Sequence, residues 1–226
     1  MTAAFDSVAA RYDAQWTNTA IGRAQRNQVW REIDRVFRAG DRVLDFGCGT
    51  GEDAAHLASR GVIVHAIDPS PAMVREASRR PGFTSEVGSV PTGRYDGLLS
   101  NFGALNCVED LRGLAARIAD VVRPGGCAAL CLMSRFCMWE PLRRANGSAP
   151  SSLGIRVYYP SIAEIRRAFA EFDCVRWIGI GLFVPPSYVK MPRWLVTVAA
   201  GLDRVLARLP MLRAMADHRL LILVRK

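Results

Sequence analysis

Apolar and polar positions follow two rhythms along the middle of the chain. Short runs that suit strands stand at Arg42–Phe46, Val62–Asp68, Phe83–Val87, Tyr95–Asn101 and Cys127–Met133. Val62–Asp68 is apolar on both faces, as a strand inside a parallel sheet requires. Between these runs the period becomes helical. One helix starts just past Gly51 and stops at Arg60-Gly61; another runs from Pro71 to about Arg79. A third covers Glu109–Val122 and ends at Arg123-Pro124-Gly125-Gly126. Proline is tolerated at an early helical position and glycine favours a helix end. Upstream, Phe5, Val8, Ala9 and Tyr12 share one face, and Ile21, Ala24, Val29, Trp30, Ile33 and Phe37 outline a second, so residues 3–38 are predicted helical. Downstream come a helix over Ile162–Phe169 and strands over Cys174–Val184 and Arg219–Arg225. A helix with Trp194, Leu195, Val198, Leu202, Val205, Leu206 and Leu209 on one face lies between those last two strands.

Strand and helix thus alternate five times with short connections, which predicts an α/β fold with a doubly wound parallel sheet and right-handed crossovers. Ligands of such sheets sit beyond the carboxyl ends of the strands. Gly47–Gly51, Asp68, Ser89 and Asn101–Asn106 all fall at that edge.

The stretch Val43-Leu44-Asp45-Phe46-Gly47-Cys48-Gly49-Thr50-Gly51-Glu52-Asp53 carries the chemistry. An apolar strand ends in a carboxylate, three glycines follow at alternate positions, and a helix begins at once. Glycine accepts positive φ and has no Cβ, so a ligand can lie against the main chain. The spacing is G-x-G-x-G, not the dinucleotide G-x-G-x-x-G, and acids stand on both sides of the turn. A phosphate would want the positive helix end unopposed; these acids favour a cationic ligand.

This stretch resembles motif I of the class I S-adenosylmethionine-dependent methyltransferases, whose signature V-L-D-x-G-C-G-T-G it matches. The resemblance is good over residues 1–133 and implies a seven-stranded sheet of order 3-2-1-4-5-7-6 with the last strand antiparallel. It implies S-adenosylmethionine as cofactor, S-adenosylhomocysteine as product, and a sulfonium and an amine to suit the acids. Asp45, Gly47, Cys48, Gly49 and Gly51 would line the ligand. Asp68 would hold both ribose hydroxyls, with Pro69 beside it and the Met73 region on the adenine. Many relatives carry an acid at the position of Ser89; serine leaves the adenine amino group to a hydroxyl or to backbone near Val90. Phe5-Asp6-x-x-Ala9-x-x-Tyr12-Asp13 is similar to the N-terminal cover helix of a small-molecule subgroup. Tyr12 would then approach the methionine part, and Arg26 is a candidate partner for its carboxylate. Asn101, Phe102 and Asn106 would wall the reactive methyl.

One domain is expected over residues 1–226, with cover helices at 1–38, a cofactor half at 39–133, and an acceptor-side half at 134–226 that includes a helical insertion at 185–217. Charge divides along the same line. Residues 1–113 hold 13 basic and 14 acidic residues, whereas 114–226 hold 17 and 7, so the second half carries +10. An anionic acceptor, a membrane surface, a nucleic acid or a plain arginine-rich bias would each account for it. The helix around 193–209, with Arg193, Arg204 and Arg208 among its polar positions, would line an acceptor pocket, lie on a lipid surface or pack on the sheet. The six cysteines form no Cys-x-x-Cys pair and lie away from histidines, so no metal site is expected. No signal peptide or spanning run is evident, and the expected location is the cytoplasm.

The reading is a methyltransferase acting on an O- or N-nucleophile of a small or lipid-linked, anionic or neutral acceptor, by direct in-line displacement. A base is needed only if the nucleophile carries a proton. His218, Tyr12, Glu109 and Glu140 are candidates by position, His218 foremost; Asn106 is a further candidate for the catalytic wall. His56 and His65 are expected to be structural. Ser100-Asn101-Phe102-Gly103 differs from the Asp/Asn-Pro-Pro-aromatic signature of DNA-amine methylation, and the Pro-Cys of cytosine-C5 enzymes is absent. That disfavours DNA as the nucleic acid methylated, while the basic half keeps RNA open. Methylation of tRNA or rRNA is the alternative enzyme reading, and a non-methylating S-adenosylmethionine-binding protein the alternative class.

Overall fold

The computed structural model describes residues 5–139 and 156–226. Its centre is a seven-stranded sheet of order β3-β2-β1-β4-β5-β7-β6. The strands are β1 Arg42–Phe46, β2 Ile63–Asp68, β3 Thr84–Val87, β4 Tyr95–Ser100, β5 Val122–Met133, β6 Phe172–Ile180 and β7 His218–Arg225. Strands β1 to β5 pair in parallel, and β7 enters antiparallel between β5 and β6.

Helices cover both faces, because strands apolar on both sides must bury both. The described helices are α1 Ala9–Tyr12, α2 Ala20–Ile33, α3 Glu52–Ser59, α4 Pro71–Ala77, α5 Leu111–Val121, α6 Ile162–Ala168, α7 Arg193–Leu206 and α8 Pro210–Arg213. Leu44, Ile67, Leu98 and Leu130 meet Leu114 and Ile118 of α5 and Ile165 of α6 on one face. Val43, Val64, Leu99 and Ile222 meet Val29 and Ile33 of α2 and Leu57 of α3 on the other. Ser70 caps α4 by accepting from the Met73 N–H at 3.1 Å, with Pro71 in the first turn. Ser161 and Glu164 form a capping box on α6.

Two boundaries differ from the sequence expectation. Strand β5 begins at Val122, before the Pro-Gly-Gly segment rather than after it. Tyr95 pairs with Val122 and Gly97 already with Cys127, so Arg123–Gly126 bulge out between two pairings. Gly125 permits this at φ 75°. Strand β6 stops at Ile180, not at Val184, since its partner β7 starts at His218. Beyond it, α2 and α7 take the backbone groups. Gln28 donates to the Gly179 carbonyl at 3.0 Å and accepts from Gly181 N–H at 3.2 Å. Asp203 of α7 accepts from the N–H groups of Phe183 and Val184 at 2.7 and 3.3 Å.

The topology brings the carboxyl ends of β1, β2, β3, β4 and β5 and the start of β7 to one edge. Among the described residues no helix is long and apolar enough to cross a membrane.

Candidate functional site

The turn after β1 is built by three glycines whose reasons differ. Gly47, Gly49 and Gly51 hold φ of 74°, 55° and 77°, where a Cβ is strained. A Cβ on Gly47 would lie 2.3 Å from the Ala104 Cβ, and one on Gly51 would meet Phe83 at 2.7 Å. A Cβ on Gly49 would meet nothing within 4 Å. Gly47 and Gly51 therefore serve packing, while Gly49 presents bare main chain to open space.

Carboxylates surround that turn. Asp45 is buried, and its Oδ2 has no hydrogen-bond partner. Burial, reinforced by the Asp53 charge, pushes its carboxyl well above the ordinary range, against the pull of Arg26. Asp68 accepts from Gly49 N–H at 2.9 Å and from Ser70 N–H at 2.8 Å. Burial also raises its carboxyl, against those two bonds. The acids following the turn behave differently. Glu52 is paired to Arg23 and Arg80, and Asp53 to Arg26. Asp53 also accepts from Trp30 Nε1 at 2.7 Å and Asn101 Nδ2 at 2.9 Å. Burial alone would raise Asp53, but Arg26 and these bonds hold it below its usual range. The charge argument from sequence counted Glu52 and Asp53 toward the ligand; their partners neutralise them. Among the described residues only Asp45 and Asp68 here lack a cationic partner.

Arg26 is buried, not a surface charge, with its guanidinium 4.9 Å from the centre of the Phe102 ring. Phe102 holds φ 47°, the one positive value at a non-glycine among the described residues. Its ring also makes an edge-on approach to the His218 ring at 5.3 Å. His218 is buried at the start of β7. Its Nδ1 lies 3.1 Å from Asp217 Oδ2 but off the hydrogen-bonding line. Gln25 Nε2 contacts the same Asp217 oxygen at 3.3 Å. Arg26, Phe102 and His218 thus form one continuous row of contacts between the glycine turn and β7.

The N-terminal segment closes over this edge through two aspartates that sequence reasoning left without a role. Asp13 accepts from Thr50 Oγ1 at 2.7 Å and pairs with Arg80 at 2.6 Å. Asp6 accepts from Ser70 Oγ and, at 3.1 Å, from Ala72 N–H, which fixes the segment to the start of α4. Both aspartates stand in the Phe5–Asp13 pattern, but their partners Thr50, Ser70 and Arg80 are distant in sequence. Tyr12 is half-buried, and its ring centre lies 5.0 Å from that of Trp16 at a tilt of 42°. Burial raises its hydroxyl pKa, with Arg26 opposing and Asp53 adding. Met73 is buried against Ala9 and Ala72, with Phe5, Val8 and Tyr12 around them.

Other expected positions sit as follows. Cys48 is buried in the turn, and burial with Asp45 and Asp68 nearby pushes its thiol far up. Pro69 is exposed beside Asp68. Ser89 is exposed past β3 and accepts from Arg117 at 2.9 Å, as does the Val90 carbonyl at 3.1 Å. Asn101 bridges Asp53 and the Phe102 N–H. Asn106 corrects the expectation of a wall residue. It is fully buried, accepts from Met133 N–H at 2.8 Å and donates to the Tyr158 carbonyl at 2.7 Å. Its amide clips β5 to the segment before α6 and faces no open space. Glu109 is exposed, and Glu140 lies outside the described residues. His56 bonds Asp34 and stacks on Trp30, while His65 bonds Tyr95 and Glu86; both serve the framework. A cavity of about 570 Å³ lined by Arg42, Ile63, His65, Thr84 and Tyr95 lies at the opposite, amino-terminal end of the strands. Residues 88–94 join β3 to β4 without a helix, so the expected alternation of strand and helix is broken there.

A sheet of this order, with a bare glycine crest between two uncompensated carboxylates, defines the class I S-adenosylmethionine-dependent methyltransferases, and the chain belongs to that family: residues 21–176 match the family described as Methyltransferase domain. It is similar to a demethylmenaquinone methyltransferase of Mycobacterium sp. (strain KMS), 33% identical over 218 residues, covering 84% of this chain and 93% of that one. A second demethylmenaquinone methyltransferase, of Beutenbergia cavernae, is 37% identical over 131 residues. There the match takes in 54% of this chain and about half, 53%, of the relative. Among solved structures, the magnesium protoporphyrin IX methyltransferase of Synechocystis PCC 6803 with bound SAH shares the fold. Its TM-score is 0.62 at 18% identity, covering 92% of this chain and 86% of that one. The cofactor is S-adenosylmethionine, and the residues present fit it: an orphaned acid oxygen on Asp45 suits a cation, and Gly49 leaves room beside the main chain.

Proposed function

We propose that this enzyme methylates a small, lipid-linked ring acceptor of the demethylmenaquinone kind. The observation that carries this reading is the 33% identity to a demethylmenaquinone methyltransferase along 93% of that relative. Bound at the glycine turn, S-adenosylmethionine supplies a methyl group already activated by its sulfonium and open to in-line displacement.

The chain's own residues have separable tasks in this reading. Asp45 and Asp68 balance the ligand's positive charge, and Asp68 accepts from the ribose hydroxyls with the lone pairs that Gly49 and Ser70 leave open. Gly47, Cys48, Gly49 and Gly51 give the main-chain cradle. Pro69, Met73, Ser89 and Val90 frame the base. Tyr12 closes the methionine end from the cover segment. Arg26 is paired to Asp53, so it meets the ligand carboxylate only as half of that pair, while Asn101 and Phe102 hold the pair in place. Asn106 acts through the backbone that it clips. On a quinol of that kind the methyl joins a ring carbon, so a base takes the hydroxyl proton as that carbon attacks, and the ring C–H proton leaves afterwards. An O- or N-nucleophile bearing a proton requires a base as well. His218, beside Asp217 and backed by Phe102, is the residue we assign to it. Water must be excluded around the reacting atoms, a task suited to the cover segment and to residues 181–217.

The test is transfer of a labelled methyl group to reduced demethylmenaquinone in detergent, set beside a panel of small O- and N-acceptors and tRNA. Product from the quinol alone supports the acceptor class. Product from the panel or from tRNA alone refutes it. His218→Gln should lower kcat more than it changes cofactor affinity; an unaltered pH–rate profile would remove the base assignment.

A further inference from the structure

Helix α7 has two apolar faces, and only one is used. Val196 and Ala199 pack on Ile21 of α2 and on Val184, and Asp203 points inward to cap residues 183 and 184. The opposite side carries Trp194, Val198, Leu202 and Val205, exposed by 69, 52, 45 and 66%. Their spacing of four, four and three residues makes a continuous stripe about 16 Å long at the helical rise. Large side chains on a helix whose other face is already packed are not a misplaced core. They are a surface built for apolar contact.

The stripe does not end with the helix. Leu209 and Met211, 47 and 84% exposed, extend it along α8. Met215 continues to the sheet edge, where its carbonyl accepts from Met138 N–H at 2.9 Å. Asp217 and His218 follow immediately. An apolar surface therefore runs from Trp194 to the rim of the acceptor edge.

Its charge selects the partner. Between residues 186 and 216 stand five basic side chains, Lys190, Arg193, Arg204, Arg208 and Arg213, and one acid, the inward-facing Asp203. Lys190, Arg193 and Arg204 are exposed at the margin of the stripe. Tryptophan and aliphatic groups along one arc with unopposed cations beside them match the interface of an anionic bilayer, with rings and methyls among the acyl chains and guanidinium groups at the phosphates.

We propose that α7 and α8 dock this enzyme onto an anionic membrane surface and turn the acceptor edge toward the lipid. The proposal deepens the lipid-linked reading above, since the acceptor would then enter from the bilayer, but it is tested without acceptor. The protein is floated with vesicles of equimolar phosphatidylglycerol and phosphatidylcholine, and with phosphatidylcholine alone. Binding to the anionic vesicles, weakened by salt, is expected. Trp194→Ser/Val205→Ser/Met211→Ser should reduce it at least about tenfold, and so should Arg193→Glu/Arg204→Glu. Both variants should keep wild-type circular dichroism and cofactor affinity. Brominated lipid should quench tryptophan fluorescence in the wild type and much less in Trp194→Phe. No flotation at low salt overturns the proposal, as does binding that the triple variant leaves unchanged. A dimer in light scattering that the triple variant dissociates, without vesicle binding, would instead assign the stripe to a second copy. Methylation of the quinol without flotation sinks docking alone; flotation without methylation leaves docking intact and sinks the acceptor reading.

Discussion

The guanidinium of Arg26 and the carboxylate of Asp53 form a buried ion pair under the glycine turn, joining α2 to α3 across 27 positions of sequence. The pair fixes the side of the site away from solvent, since Asp53 also holds Trp30 and Asn101 and Arg26 backs the Phe102 ring. Removing one partner strands a charge where water cannot reach it. Arg26→Met should destabilise the fold by about 3–5 kcal/mol, and Arg26→Met/Asp53→Asn should recover part of that loss. Urea unfolding of the single and double variants measures it; additive losses would mean that the pair carries no coupling.

The glycines should separate fold from affinity. Gly47→Ala drives a methyl into Ala104, so it should unfold or strongly destabilise the protein. Gly49→Ala meets no atom of the chain and bears only left-handed backbone strain, roughly 1–2 kcal/mol. Its larger effect should be on cofactor affinity, read by calorimetry as at least about a tenfold rise in Kd, near 1.4 kcal/mol. Wild-type affinity in Gly49→Ala would mean that the ligand does not approach the crest.

Asp45 gives the site a pH signature. Its carboxyl, raised by burial, holds its proton to higher pH in the folded chain than in the unfolded one. On its own it lowers stability as pH rises from the unfolded pKa through the folded one, because the native state then binds more protons. Asp68 acts with the same sign and Asp53 with the opposite one. A cationic ligand favours the ionised pair. Binding of S-adenosylmethionine should therefore release protons and strengthen as pH climbs through that window. Calorimetry in buffers of different ionisation enthalpy detects the release. Proton uptake, or none, would contradict the charge assignment, and Asp45→Asn should reduce the release to the share left to Asp68.

The cover segment should loosen at a single bond. Thr50→Val deletes the hydroxyl that reaches Asp13 without changing the shape of the turn. A loss of about 1 kcal/mol, roughly fivefold in cofactor affinity, is expected, with faster proteolysis near Arg11. Equal cleavage rates in variant and wild type would show that Asp13 is held by Arg80 alone.

The elements set by local patterning were readable in the amino-acid string. β1 matches its expected span, and β2 and β4 match within a residue, because apolar runs and glycine stops are local signals. What escaped depended on partners distant in sequence. Nothing near Gly181 announces that Gln28, over 150 residues earlier, will take the place of a strand neighbour. Nothing near Asn106 announces Tyr158. The Pro-Gly-Gly bulge reads as a helix stop, and only the register against β4 shows that the strand already begins before it, at Val122. In the site the acids were visible but their cations were not. Glu52 and Asp53 lost their apparent role once the fold brought Arg23, Arg80 and Arg26 to them.

Strand β7 runs against its neighbours, and this has a practical result. Ile180 and His218 sit side by side in the sheet, and Asp217 N–H closes on the Gly181 carbonyl at 3.1 Å. Residues 181–217 are therefore a cassette whose two ends already touch. Closing a longer or shorter insert between touching ends changes the entropy only slowly with length. Exchange of that cassette for one from a relative with another acceptor should retarget the enzyme while the nucleoside-binding half stays as it is.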